Sequence, residues 1–127
     1  MMRLRAFYAA CLLCLVSACS TCADQVLSES ASPNGVLIAT SFVRNCGATT
    51  DFSSIVSLHR KSDGLGTDQD MVFVAKGRHQ LSLRWSDATT LAVRCDTCSR
   101  ASIFRQVAIA GDVNIDYQVG STIVEQK

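Results

Sequence analysis

The chain begins with one unbroken apolar run, Ala6 to Val16, and then changes character, because further along its apolar residues stand mostly at alternate positions. Leu81, Leu83 and Trp85 alternate with Gln80, Ser82 and Arg84. Leu91, Val93 and Cys95 alternate with Thr90, Ala92 and Arg94, and Val113, Ile115, Tyr117 and Val119 alternate with Asn114, Asp116 and Gln118. Successive side chains of a strand point to opposite faces, so this period predicts half-buried β-strands. The segments around Trp85 and Val93 are joined by the turn residues Ser86-Asp87-Ala88-Thr89 and are expected to pair. Val36 to Arg44 is rich in branched and aromatic residues, and Phe52, Ser54, Val56 and Leu58 share one side of the following segment, which predicts a hairpin around Cys46 to Asp51. Met71 to Ala75 and Ile103 to Ile109 are further strand candidates, and no amphipathic helical period appears beyond the first apolar run.

Strands joined by short turns predict an all-β domain over residues 35–127, a mostly antiparallel meander preceded by a signal-peptide helix. A single sheet cannot bury both faces, so the meander is expected to curl into a sandwich or a partly open barrel. The expected core is Ile38, Phe42, Phe52, Val56, Leu58, Val72, Val74, Leu81, Leu83, Trp85, Leu91, Val93, Ile115 and Tyr117. Ser20 to Asn34 is polar and follows neither apolar period. Residues 19–34 therefore read as a flexible tether, with Ser32-Pro33-Asn34-Gly35 as the turn that starts the domain.

The first residues fall into a basic start (Arg3, Arg5), the apolar run and the small residues Ser17 and Ala18 before Cys19. That is the layout of a secretory signal, and the run is too short to span a hydrocarbon core of about 30 Å. Val16-Ser17-Ala18-Cys19 resembles the lipobox of bacterial lipoproteins, with a branched apolar residue three before the cysteine and small residues between. The resemblance implies that residues 1–18 are removed and that Cys19 carries a diacylglycerol and an acylated amine. Two or three acyl chains make a lasting anchor where one does not. Ser20 at the second mature position implies, in an organism with two membranes, the periplasmic face of the outer membrane. A rival cut after Ala23, with Thr21 and Ala23 as the small recognition residues, would release a soluble periplasmic or secreted product.

Composition supports an exported module and excludes some partners. Of 127 residues, removal of the first 18 takes away Arg3 and Arg5 and no acid, so the formal net charge passes from +1 to −1. A near-neutral chain without a basic block argues against nucleic acid as a partner and against electrostatic membrane binding. Cys11 and Cys14 leave with the signal, and with Cys19 lipidated the even set Cys22, Cys46, Cys95 and Cys98 remains. In an oxidising compartment these four are disulfide candidates with three possible connectivities. The most economical pairings join Cys46 to Cys95 or Cys98, pinning the first hairpin loop to the end of a later strand.

Cys95-Asp96-Thr97-Cys98 is the sharpest chemical motif. Such a pair serves as a redox disulfide or as half of a zinc site. Redox pairs gain a low thiol pKa at a helix N-terminus, yet Cys95 ends a strand with no helical pattern behind it. Zinc needs further ligands, and His59, His79 and Cys46 show no paired spacing. A structural disulfide is the reading adopted, with no metal and no cofactor. His59 and His79 read as solvated strand-edge residues. Asp63, Asp68 and Asp70 lack the spacing of a helix-loop-helix calcium site and read as a solvated loop. Thr49, Thr50 and Asp51 form the most polar unexplained loop and the first place to look for a binding site.

Several segments together, Phe42-Val43-Arg44-Asn45-Cys46-Gly47-Ala48-Thr49-Thr50-Asp51-Phe52-Ser53, Val72-Phe73-Val74-Ala75, Leu83-Arg84-Trp85 with Thr90-Leu91-Ala92-Val93, and Val113-Asn114-Ile115-Asp116-Tyr117, resemble a group of small uncharacterised bacterial β proteins with a Cys-Gly-Ala-Thr-Thr segment. That resemblance brings no activity. The expected function is a non-enzymatic, lipid-anchored envelope module that binds or packs against another envelope protein. The alternatives are a periplasmic thiol protein using Cys95 and Cys98, and a small secreted inhibitor-like binding protein.

Overall fold

The computed structural model describes residues 22–47, 51–64 and 70–120, and they form an all-β fold of two sheets that face each other without closing into a barrel. The strands are β1 (Ala23–Ala31), β2 (Leu37–Asn45), β3 (Ser53–Arg60), β4 (Met71–Lys76), β5 (Ser82–Asp87), β6 (Thr90–Cys95), β7 (Ile103–Gln106), β8 (Ile109–Ala110) and β9 (Val113–Val119). One sheet has five strands in the order β1-β2-β3-β4-β7, and the other has four in the order β5-β6-β9-β8. Among the described residues the helical elements are single 3-10 turns at Lys61–Asp63 and Arg100–Ser102. The expected apposition of the segments around Trp85 and Val93 is present, with Leu83 opposite Val93 and Trp85 opposite Leu91. The β2–β3 hairpin is also present, in antiparallel register from Leu37 opposite Arg60 to Arg44 opposite Ser53.

The stretch expected to be a tether is instead largely strand β1. It pairs with β2 along its whole length, from Ala23 opposite Asn45 to Ala31 opposite Ile38, with a bulge between Val26 and Ser28. Nearly all of β1 is exposed, so its side chains carry no burial period for sequence reading to find. Other forces hold it: the ladder to β2, the Cys22–Cys46 disulfide, the Asp24–Arg44 ion pair at 2.8 Å, and the Trp85 indole N–H donating to Ser30 O at 2.9 Å from the other sheet. The turn at Ser32-Pro33-Asn34-Gly35 is where expected, but it joins β1 to β2 rather than opening the domain. Gly35 N donates to Ser32 O at 2.8 Å, and Gly35 takes φ 74°, where a glycine is favoured.

A second departure from the simple meander is that β9 runs parallel to β6, with Leu91 beside Ile115 and Val93 beside Tyr117. Parallel neighbours need a crossover between them. Here the chain leaves β6, adds β7 to the edge of the five-stranded sheet next to β4, and returns through β8. Alternation of side chains looks the same in parallel and antiparallel pairing, so the sequence pattern is silent on this.

The main core lies between the sheets and is built from Ala39, Val56, Leu58, Phe73, Leu91, Val93 and Ile115, with Leu83, Trp85 and Tyr117 packed against it. Phe42, Ile55 and Met71 form a separate cluster, with Val74 against it. Most expected core positions are buried or half-buried, with one clear exception. Phe52, just before β3, is 38% exposed, and the Arg78 guanidinium lies over its ring at 5.5 Å. Phe73, which the alternation does not select, is fully buried and stacks on Tyr117 with centroids 5.7 Å apart. A bulge shifts the β3–β4 register between Val56 and Ser57. Val72 and Phe73 then both join the main core, which strict alternation does not allow.

Tyr117 ties the sheets together. Its hydroxyl lies 2.7 Å from Val107 O and 3.1 Å from Val72 O, and donates to these carbonyls across the interface. Burial holds the phenol neutral and pushes its pKa from 10.0 up to about 12. The unfolded chain gives up this proton near pH 10, whereas the fold keeps it to about 12. The stabilisation is therefore complete below pH 10 and lost as pH rises between the two values. In urea titrations from pH 9 to 12, the midpoint of the parent chain should fall more steeply than that of Tyr117→Phe. Parallel slopes would show that the phenol proton plays no part.

Candidate functional site

Two regions at opposite ends of the sandwich are open to chemistry. At one end a wide, open cleft of about 780 Å³ lies between the sheets, with Arg60, Asp63, Asp70, Arg105 and Asp112 among its lining residues. Of the three aspartates considered for calcium, Asp63 and Asp70 line this cleft, and Asp68 lies outside the described residues. His59 also lines it and is buried rather than solvated as expected. Its Nδ1 lies 2.9 Å from Arg60 O and its Nε2 lies 3.2 Å from Thr40 Oγ1. Donation to the carbonyl places a proton on Nδ1, and the threonine hydroxyl is the partner of Nε2, so both ring nitrogens are satisfied.

The other end carries the two disulfides found among the described residues, and their pairing differs from the one expected. Cys22 bonds to Cys46, and Cys95 bonds to Cys98. The expected Cys46–Cys95 and Cys46–Cys98 links fail for a topological reason. Cys46 directly follows β2 of the five-stranded sheet and Cys95 ends β6 of the other, whereas β1, unseen in the sequence, brings Cys22 alongside Cys46. Of the polar loop singled out in the sequence, Thr49 and Thr50 lie outside the described residues. Asp51 is exposed, and its carboxylate pairs with Lys76 at 3.1 Å.

The structure adds a third member to the Cys95-x-x-Cys98 motif. His79, Cys95 and Cys98 bring their ligand-type atoms within 4.8 Å of one another, and they are the one such group among the described residues. Each is held by a different part of the fold. Cys95 ends β6 and is fully buried, and Cys98 in the following loop is 3% exposed. His79 sits in the turn between β4 and β5. Buried Ser54 of β3 clamps that turn, donating through Oγ to Gly77 O at 2.8 Å and accepting from His79 N at 2.8 Å. The imidazole is then fixed at both nitrogens. Nε2 donates to Lys76 O at 2.9 Å, and Nδ1 lies 2.7 Å from the Thr97 hydroxyl. Gly77, at φ 99°, leaves room for the ring, since a Cβ there would lie 3.0 Å from His79 Nε2. Nothing in the sequence pattern marks Ser54, Gly77 or Thr97 for this site, and it makes His79 a solvated edge residue. No spacing rule connects a turn in one part of the chain to a Cys pair in another.

Chemically, this is a dithiol/disulfide pair with an imidazole beside it, shielded on the sulfur side and open on the His79 side. The fold and the site define a small two-sheet β protein with two disulfides among the described residues and a Cys-x-x-Cys–His cluster at one end. No family model, curated protein or solved structure matches the chain.

Proposed function

We propose that the chain is a lipid-anchored module of a bacterial envelope, held by acyl chains on Cys19 and acting as a non-enzymatic binding or structural domain for another envelope protein. The observation that carries this reading is the Cys22–Cys46 disulfide. A cut after Ala23 would discard Cys22 and leave Cys46 without its partner, whereas a cut before Cys19 keeps both disulfides and leaves Cys19 for lipid. The disulfides also fit an oxidising, extracytoplasmic compartment. Since β1 takes the place of the tether, the linkage from Cys19 to Cys22 spans at most about 10 Å, and the anchor would hold the disulfide end of the sandwich close to the lipid surface.

Intact-mass analysis of protein extracted from membranes tests the reading. The expected species begins at Cys19 and carries diacylglycerol and an amide-linked acyl chain. A soluble species beginning at Asp24 would overturn it. The His79 imidazole beside Cys95 and Cys98 favours a second reading, a thiol/disulfide protein. That reading requires the Cys95–Cys98 bond to open under mild reduction, which thiol alkylation measures; burial of both sulfurs works against it.

A further inference from the structure

We propose that His79, Cys95 and Cys98 form a binding site for a soft divalent metal ion of the zinc type, created when the Cys95–Cys98 disulfide is reduced. The proposal goes beyond the envelope-anchor reading and does not depend on it. The ligand-type atoms already lie within 4.8 Å of one another. In tetrahedral zinc, with bonds of about 2.3 Å to sulfur and 2.0 Å to nitrogen, ligand atoms stand roughly 3.5 to 3.8 Å apart. Once the S–S bond is broken, the sulfurs separate by less than the width of an atom and the imidazole approaches by about 1 Å to meet that geometry.

The surroundings of His79 are those of a ligand. A carbonyl oxygen only accepts, so the contact with Lys76 O places the ring proton on Nε2. In the neutral ring this leaves the Nδ1 lone pair directed at the 95–98 loop, where Thr97 Oγ donates to it at 2.7 Å. A backbone carbonyl fixing the far nitrogen is the usual outer-shell support of a metal-bound histidine. The hydroxyl of Thr97 turns aside when the ion takes the lone pair. Ser54 and Gly77 set the position of the ring, and the part-exposed imidazole gives the ion access to sulfurs that are themselves buried.

The steps balance. Two molecules of a small thiol supply two electrons and two protons, the Cys95–Cys98 bond breaks to two thiols, and the small thiol leaves as its disulfide. The divalent ion then displaces both thiol protons to solvent and is held by two thiolates and the neutral imidazole. The charge of the ion cancels that of the thiolates, so the buried pair carries no net charge. Thiolate and imidazole donors select a soft or borderline cation over calcium or magnesium. Reoxidation of the pair by a small-molecule disulfide removes the donors and releases the ion.

The test uses the full chain in detergent, reduced with a phosphine that is removed before the titration with cadmium(II), while the thiolate-to-metal absorption band is followed. The reduced parent chain should show the band, and the oxidised chain should not. His79→Ala should weaken binding about 100-fold or more, since losing an outer-shell partner alone costs 10- to 100-fold. Gly77→Ala, which displaces the ring, should weaken it about tenfold. Cys22→Ser/Cys46→Ser should leave it unchanged. Absence of the band, or binding that survives His79→Ala and disappears with the Cys22/Cys46 pair, overturns the proposal. If reduction by itself unfolds the chain, one equivalent of zinc should restore the β-sheet circular dichroism of the parent and not of His79→Ala. Failure to restore it would equally overturn the site.

Discussion

Replacing Phe73 with alanine should destabilise the folded protein by about 3–5 kcal/mol, the range for removing a fully buried aromatic ring from a core that collapses only in part. Phe73 lies in β4, inside the five-stranded sheet, is wholly inaccessible to solvent, and stacks on Tyr117 of the facing sheet. Its loss therefore opens a cavity between the two sheets. Small domains have total stabilities of about 5–15 kcal/mol, so the variant should sit near its unfolding midpoint under mild conditions. Urea denaturation followed by tryptophan fluorescence measures this, because Trp85 packs against the same core. The control is Phe104→Ala, whose side chain is 70% exposed and whose removal should change stability by less than about 0.5 kcal/mol. Equal effects from the two variants would mean that the sheets do not pack as described.

Breaking the Cys22–Cys46 disulfide should be the next most damaging change. The two cysteines are 24 positions apart, and loop-closure entropy for a ring of that size gives about 3–4 kcal/mol, in a model where the crosslink acts mainly on the unfolded chain. The Cys95–Cys98 link closes a separation of only 3 and is worth roughly 2 kcal/mol on the same basis. The Cys46→Ser effect should also be local. Hydrogen exchange should quicken first in β1, an edge strand with few buried side chains, while β6 stays protected until global unfolding. If Cys46→Ser costs less than Cys98→Ser, or leaves β1 as well protected as before, the disulfide is not what secures that strand.

The parts of the fold legible in the sequence are those in which burial follows strict alternation. Leu83 against Val93 and Trp85 against Leu91 are cross-strand pairs that follow from the alternation and the turn between them. The turns at Gly35 and after Trp85 are also legible, because asparagine, aspartate and glycine make them by local chemistry. In the second turn, the Asp87 carboxylate accepts from Thr89 N at 2.8 Å, and these threonine contacts hold its pKa below the ordinary value. β1 is invisible in the sequence because an edge strand is held by its backbone ladder and a crosslink and buries few side chains. Phe73 escapes the pattern because a bulge breaks the alternation. Of the candidate site, the Cys-x-x-Cys pair is plain in the sequence, and its histidine is not.

The sequence by itself determined that this is an all-β domain of mainly short strands and that Cys95 and Cys98 are its sharpest chemical pair. Local chemistry fixes such features, because side-chain alternation, turn residues and spacing act within a few positions. Only the tertiary structure decided that Cys22 pairs with Cys46, that β9 lies parallel to β6, and that His79 sits beside the Cys95–Cys98 bond. Each of these depends on which strands the two sheets recruit, and long-range pairing leaves no mark on neighbouring residues.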